Sequence, residues 1–309
     1  MKLFRLIHAA MIPAIIVGIM VSCVKINGTI EDFDVELAFE PAIFSPVKVE
    51  AKGLYPKGVD FGVTASMLDA SCVWAKNFSE AESFLVNEEV EQVGNMWMPL
   101  SRCNWPDISK TLTIIAYSPY SSSTVCNFTD GVVFNGVNTV EKEEELLYTE
   151  PLTDLHKDIY GGVVSVPFKQ ALCSVGVKVK NLIGLNEKIE IYGIRFNGIR
   201  YEGNFHSLPY PSWDLTDSKT NLQFYNGVYE STQYPVTIGN SHKVIPQTLN
   251  GVFEVDFRYY TESGTFLDQT VSTRTVETCL EPGRNYSYTL SVGIDEVRFL
   301  LEVIDSQLK

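Results

Sequence analysis

The chain has 309 residues, 45% of them apolar, which is enough to fill the cores of two ordinary domains. Its net charge is −14; residues 1–22 carry Lys2 and Arg5, so the remainder carries −16. A body this acidic repels phosphate backbones and anionic headgroups, which argues against nucleic-acid binding and leaves membrane attachment to some other device.

Residues 1–22 read as an export signal. Lys2 and Arg5 form a basic start, Ala9 to Met20 runs without a charge, and Met20-Val21-Ser22-Cys23 closes on small residues. The run is shorter than the ~20 residues that span a bilayer, and Pro13 interrupts it. The junction resembles a bacterial lipobox, with Met20 where Leu is usual. That resemblance implies a lipidated Cys23 as the mature N-terminus, a polar tether over 23–32, and a surface-exposed protein held to the cell outer membrane by lipid. Ordinary signal cleavage beside an unmodified Cys23 is the alternative.

Phe33 to Phe39 alternates strictly, with Phe33, Val35, Leu37 and Phe39 on one face, the pattern of a half-buried strand. Val59–Ser66 is a second strand, and Asn77–Gln92 reads as irregular with solvated glutamates. Leu112 to Tyr117 is a strongly β-prone run stopped by Ser118-Pro119. Glu141 to Tyr148 offers the one helical turn, its charge run a solvated face. Residues 151–162 look like an interdomain joint. Beyond it, Val163–Phe168, Ala171–Lys180, Ile189–Phe196, Gly251–Tyr260, Thr270–Thr275, Asn285–Gly293 and Val297–Ile304 read as strands, and Tyr201–Tyr234 as loops. About a dozen short strands and almost no amphipathic helix predict an all-β protein of two tandem β-sandwich domains, 33–156 and 157–309.

Beyond Cys23 the cysteines are Cys72, Cys103, Cys126, Cys173 and Cys279, odd in number and widely spaced, which supports no metal site and leaves the disulfide state open. Catalytic motifs are lacking: there is no GxSxG, HExxH or phosphate loop, so neither an enzyme nor a cofactor is expected. Trp213 with Tyr210, Tyr225 and Tyr229 offers faces that stack on sugars, the basis of an alternative reading as a surface glycan-binding lipoprotein of a polysaccharide-uptake system. Packing under a long loop is the competing explanation for the same aromatics.

Four ordered stretches carry a family resemblance: Trp105-Pro106 with Leu112–Pro119; Leu146-Leu147-Tyr148; Val164–Leu172 with Val175–Lys180; and Ile245-Pro246-Gln247 with Pro282–Leu290. Their order resembles the fimbrillin family of Bacteroidales, the subunits and anchors of type V pili, although Gln170 stands where that family usually has His. The resemblance implies transthyretin-like sandwiches, other fimbrial subunits as partners in homo- or heteropolymers, and a host or bacterial surface ligand. It also implies assembly by strand exchange: proteolysis removes the N-terminal strand (Phe33, Val35, Leu37, Phe39), and a strand from a neighbour fills the groove. The segment with Val297, Phe299, Leu301 and Val303 on one face is the candidate donor. Arginine is absent between Cys23 and Arg102, leaving Lys48, Lys52 and Lys57 as candidate processing points. Without a cut the strand and its lipid stay, and the resemblance then implies an anchor or base subunit.

Overall fold

The computed structural model describes residues 34–44, 52–157, 161–184 and 187–305. Residues 1–22, Cys23, the tether, Phe33 and Lys48 lie outside the described residues. The first strands are β1 (Ala38–Phe44), β2 (Lys52–Leu54), β3 (Phe61–Asp69), β4 (Glu82–Val93), β5 (Met96–Pro99), β6 (Lys110–Ser118), β7 (Val125–Asn127) and β8 (Gly131–Asn138). Next come β9 (Leu147–Tyr148), β10 (Leu152–His156), β11 (Val163–Gln170), β12 (Cys173–Asn181), β13 (Lys188–Arg200), β14 (Glu202–His206), β15 (Ser212–Leu215) and β16 (Lys219–Glu230). The last are β17 (Val236–Thr237), β18 (His242–Val244), β19 (Thr248–Gly251), β20 (Phe253–Tyr260), β21 (Phe266–Ser272), β22 (Val276–Cys279), β23 (Arg284–Val292) and β24 (Val297–Asp305). Among the described residues the α-helix is a single turn, α1 (Trp74–Asn77). The all-β class expected from the sequence is the class observed.

The first sheet runs β10-β6-β3-β4-β5-β1-β11-β9, and β9 also pairs with β6, so seven of its strands close into a ring. Closure removes free edges, and the inward residues fill one core built on Leu37, Phe39, Phe61, Leu112, Ile114 and Phe168. The other face of β6, with Ile115 and Tyr117, enters a second core beside Phe134, Tyr148 and Phe205. Burial on both faces explains the consecutive apolar residues Ile114 to Tyr117 of β6, which alternation alone would not produce. A small sheet, β15-β14-β8-β7, covers that second core with strands from both halves of the chain.

The remaining strands form two facing sheets, β17-β12-β23-β24 with β18 beside β12, and β16-β13-β20-β21, together with a separate antiparallel pair, β19-β22. Their inner faces meet in a third core of Val175, Val177, Ile191, Phe253, Tyr288 and Leu290. β12 and β20 alternate buried and half-buried residues without a break, the period of two expected of strands covered on one side.

Several local expectations fail. Glu141–Tyr148 holds no helix: it runs irregularly from a turn at Glu141 into β9, with Leu146, Leu147 and Tyr148 all buried at the meeting of the first two cores. Residues 77–92 hold nearly all of the twelve-residue β4, which pairs with β3 between Glu82 and Val90 and with β5 from Val90 to Val93; those ladders override the weak strand preference of its glutamates. Within the expected loop 201–234, β16 is another twelve-residue strand. The expected joint contains β10, and β11 beyond it, expected to open the second half, also belongs to the first sheet. All five described cysteines are free, and burial pushes the Cys126 and Cys173 thiols up to about 11 and about 12, so they sit as inert apolar groups.

Candidate functional site

The first 11 described residues form a plug. Val35 to Phe44 threads between β5 and β11, and its backbone is held from both sides. Leu37 N–H donates to Cys103 C=O (2.9 Å), Ala38 N–H to Gly162 C=O (2.9 Å), and Trp105 N–H to Val35 C=O (2.8 Å). β1 then runs parallel to β11 through six paired residues, Ala38 opposite Val163 to Ile43 opposite Phe168. Against β5 it makes a single pair, Phe39 with Trp97. The rest of that edge is held by a bridge from Glu36 to Asn104 and by β2, which pairs antiparallel with Ala42, Ile43 and Phe44.

Side chains follow the alternation. Leu37, Phe39 and Ile43 are buried, and Val35 packs on the same core. Ala38 is also covered, whereas Glu36 and Glu40 are exposed. Burial of Leu37, Phe39 and Ile43 contributes roughly 1.5–3 kcal/mol each. Under the plug lies an aromatic box. Tyr55 stacks on Phe168 (5.4 Å) and meets Trp97 (5.1 Å) and Phe61 (5.8 Å) edge-on, and Phe39 meets Phe61 at 5.9 Å. The Tyr55 hydroxyl donates to Val59 C=O (2.9 Å) and lies 2.6 Å from Ser118 Oγ. Burial raises the Tyr55 phenol pKa well above its ordinary value, only partly offset by the Ser118 bond. Gly162 lets the plug pass: a Cβ there would lie 2.3 Å from Val35 Cγ1, and its φ is +93°.

Of the candidate processing residues, Lys52 starts β2 and pairs its backbone with Phe44. Lys57 is exposed in a turn with Gly58, whose φ is +72° and whose surroundings are open. The candidate donor, β24, is the edge strand of its sheet and pairs along its whole length with β23. Val297 is buried, Phe299 and Leu301 are half-buried against the third core, and Val303 is exposed. The plug and β24 thus belong to different sheets and different cores, and one chain does not bring them together.

The sugar-stacking aromatics separate. The Trp213 ring packs on Phe205 at 5.3 Å and its Nε1–H donates to Ala171 C=O (3.0 Å). Tyr225 and Tyr229 lean on the third core, and Tyr210 is exposed in a loop. Together they make no platform. The glutamate run was not simply a solvated face either: Glu143 pairs with His242, and Glu145 pairs with Lys243 and accepts from Gln170. Sequence reasoning missed Tyr55, Phe61, Trp97 and Phe168 as the lining under the plug; spread over more than a hundred residues, they share no local signal. Among the described residues no group of His, Cys, Asp and Glu has the arrangement of a metal site.

No curated protein sequence matches this one. In fold, it is similar to a fimbrial protein from Bacteroides vulgatus, with a TM-score of 0.67 at 15% identity over 88% of this chain and 99% of that one. It is also similar to candidate cell adhesion proteins from Bacteroides uniformis (TM-score 0.54, 14% identity, 87% and 97% covered) and Bacteroides ovatus (0.53, 14%, 88% and 98%). At these identities the likeness establishes the fold. A profile of the fimbrillin-like family matches residues 62–304, most of the chain. The protein belongs to the fimbrillin-like family.

Proposed function

We propose that the chain is a structural, non-enzymatic subunit or membrane anchor of a cell-surface fimbria, and that its copies join by strand exchange. The observation that carries this reading is the plug. A short N-terminal segment completes a closed sheet, fills its core with Leu37, Phe39 and Ile43, and touches β5 through a single residue pair. Removing it exposes an apolar groove whose backbone groups on β11 need a new partner. A strand from another subunit supplies both the hydrogen bonds and the side chains. β24, at a sheet edge with alternating apolar residues, is the strand proposed to do so.

Cys23 would deliver the subunit to the outer membrane through its lipid. Lys57, exposed in its turn, is the favoured processing point, because a protease needs an accessible segment of backbone. We keep two domains in this proposal, with the joint drawn after β11 rather than at residue 157. The names of the structural neighbours support a role in surface adhesion. N-terminal sequencing of protein in fibres sheared from cells tests the subtype. A start at Gly58 means a processed stalk subunit, and a lipidated Cys23 in the fibres means an anchor. Absence of the chain from surface fibres altogether overturns the reading.

A further inference from the structure

We propose that β24 of a second copy, released from its ladder with β23, enters the groove in the reverse chain direction, with Val303, Leu301 and Phe299 in the places of Val35, Leu37 and Phe39. The inference rests on the strand-exchange reading. Read backwards, β24 is Val303-Glu302-Leu301-Leu300-Phe299-Arg298-Val297. The plug read forwards is Val35-Glu36-Leu37-Ala38-Phe39-Glu40-Pro41. Four of the seven positions carry the same residue. Because side chains alternate with a period of two, reversing a strand keeps its in-and-out pattern while changing its ladder.

The burial of the plug makes demands on both faces, and the reversed strand meets them. The exposed positions of Glu36 and Glu40 receive Glu302 and Arg298, and the covered position of Ala38 receives Leu300. The forward alternative, again with Phe299 in place of Phe39, puts Arg298 where Ala38 is only 4% exposed and puts the smaller Val297 where Leu37 is 0% exposed. An unpaired guanidinium there is far costlier than a surplus of methyl groups. In its own subunit, Leu300 is 62% exposed, an apolar side chain without cover that the reversed arrangement buries.

The ladder points the same way. β1 lies parallel to β11, the weaker kind of pairing per residue. A reversed donor is antiparallel to β11 along the same stretch. The bonds that change for the worse are the fewer ones toward 103–105 and Trp97. The strand begins at Val297 after the turn that ends β23, so the positions of Ala42 and Ile43 lie beyond its reach.

Disulfide trapping in fibres assembled on cells separates the possibilities, using the full chain with the exposed Cys279 changed to Ser. Ser165 is opposite Glu40 across the ladder. In the reversed arrangement Ser165→Cys therefore meets Arg298→Cys of the neighbour, and in the forward one it meets Leu300→Cys, at a Cα spacing that a disulfide spans. The expected result is a ladder of covalent oligomers with Arg298→Cys and none with Leu300→Cys. A ladder with Leu300→Cys alone overturns the direction while leaving strand exchange standing. Assembled fibres without either ladder overturn exchange through β24 itself. Leu300→Arg gives a second reading, since residue 300 is exposed in the free subunit. Loss of fibres with an unchanged monomer melting temperature is expected, and normal fibres overturn the reversed arrangement.

Discussion

Tyr55 lies stacked on Phe168, ring centroids 5.4 Å apart and planes 29° from parallel, so a residue from the stretch after β2 and one from β11 close the floor on which the plug rests. Tyr55→Ala empties this box and is expected to destabilise the chain by about 3–5 kcal/mol. Tyr55→Phe keeps the stacking and loses the bonds to Val59 and Ser118, costing about 1–2 kcal/mol. Urea unfolding followed by tryptophan fluorescence measures both, and equal costs for the two variants would mean that the ring packing is unimportant. The same contact gives the proposed processing point a consequence. A cut after Lys52 leaves Tyr55 in the groove, whereas a cut after Lys57 removes it together with the plug.

Gly162 sits where a Cβ would strike Val35, in a backbone conformation that L side chains rarely adopt. Gly162→Ala is expected to cost about 1–3 kcal/mol and to loosen the plug before the rest of the fold. Hydrogen exchange checks this. Faster exchange at Leu37 and Ala38 than at β12 is the expected outcome, and uniform acceleration would refute a local effect.

Trp213 holds Phe205 and the Ala171 carbonyl. Trp213→Ala is expected to lower stability by about 3–5 kcal/mol, the range for an aromatic removed from a packed site. A thermal melt shows it. A variant as stable as the parent would instead return Trp213 to the role of a surface sugar contact.

Burial, reinforced by the nearby Glu150, pushes the Tyr148 phenol up to about 12 in the fold, against about 10 in an unfolded chain. The folded state then holds its proton where the unfolded state has released it. Tyr148 therefore costs nothing below about pH 10, and stability falls as pH rises from 10 toward 12. Melting temperatures at pH 9 and pH 11 test this. Tyr148→Phe should lose part of the alkaline drop, and an unaltered drop would assign it to other buried tyrosines such as Tyr117.

The alternation of Val35, Leu37 and Phe39, the apolar run of β6 and the regular period of β12 and β20 were legible in the sequence, because facing is decided by a two-residue repeat that each strand carries within itself. Partnership is not local. The parallel pairing of Ala38 with Val163 joins residues 125 positions apart, and only long-range packing selects it over other strands of equal propensity. The same reason explains the misread stretches. The glutamates of β4, and Glu143 and Glu145, carry weak local preferences, which the flanking strands of β4 and the contacts with His242 and Lys243 of β18 overrule. From the sequence came an all-β chain with apolar residues alternating at Val35, Leu37 and Phe39, although the strand expected over 33–39 forms at Ala38–Phe44, with 34–37 ahead of it making only the isolated bridge of Glu36 to Asn104. That this strand closes a ring between β5 and β11, over a floor of aromatics drawn from positions between Tyr55 and Phe168, was decided by the tertiary structure alone.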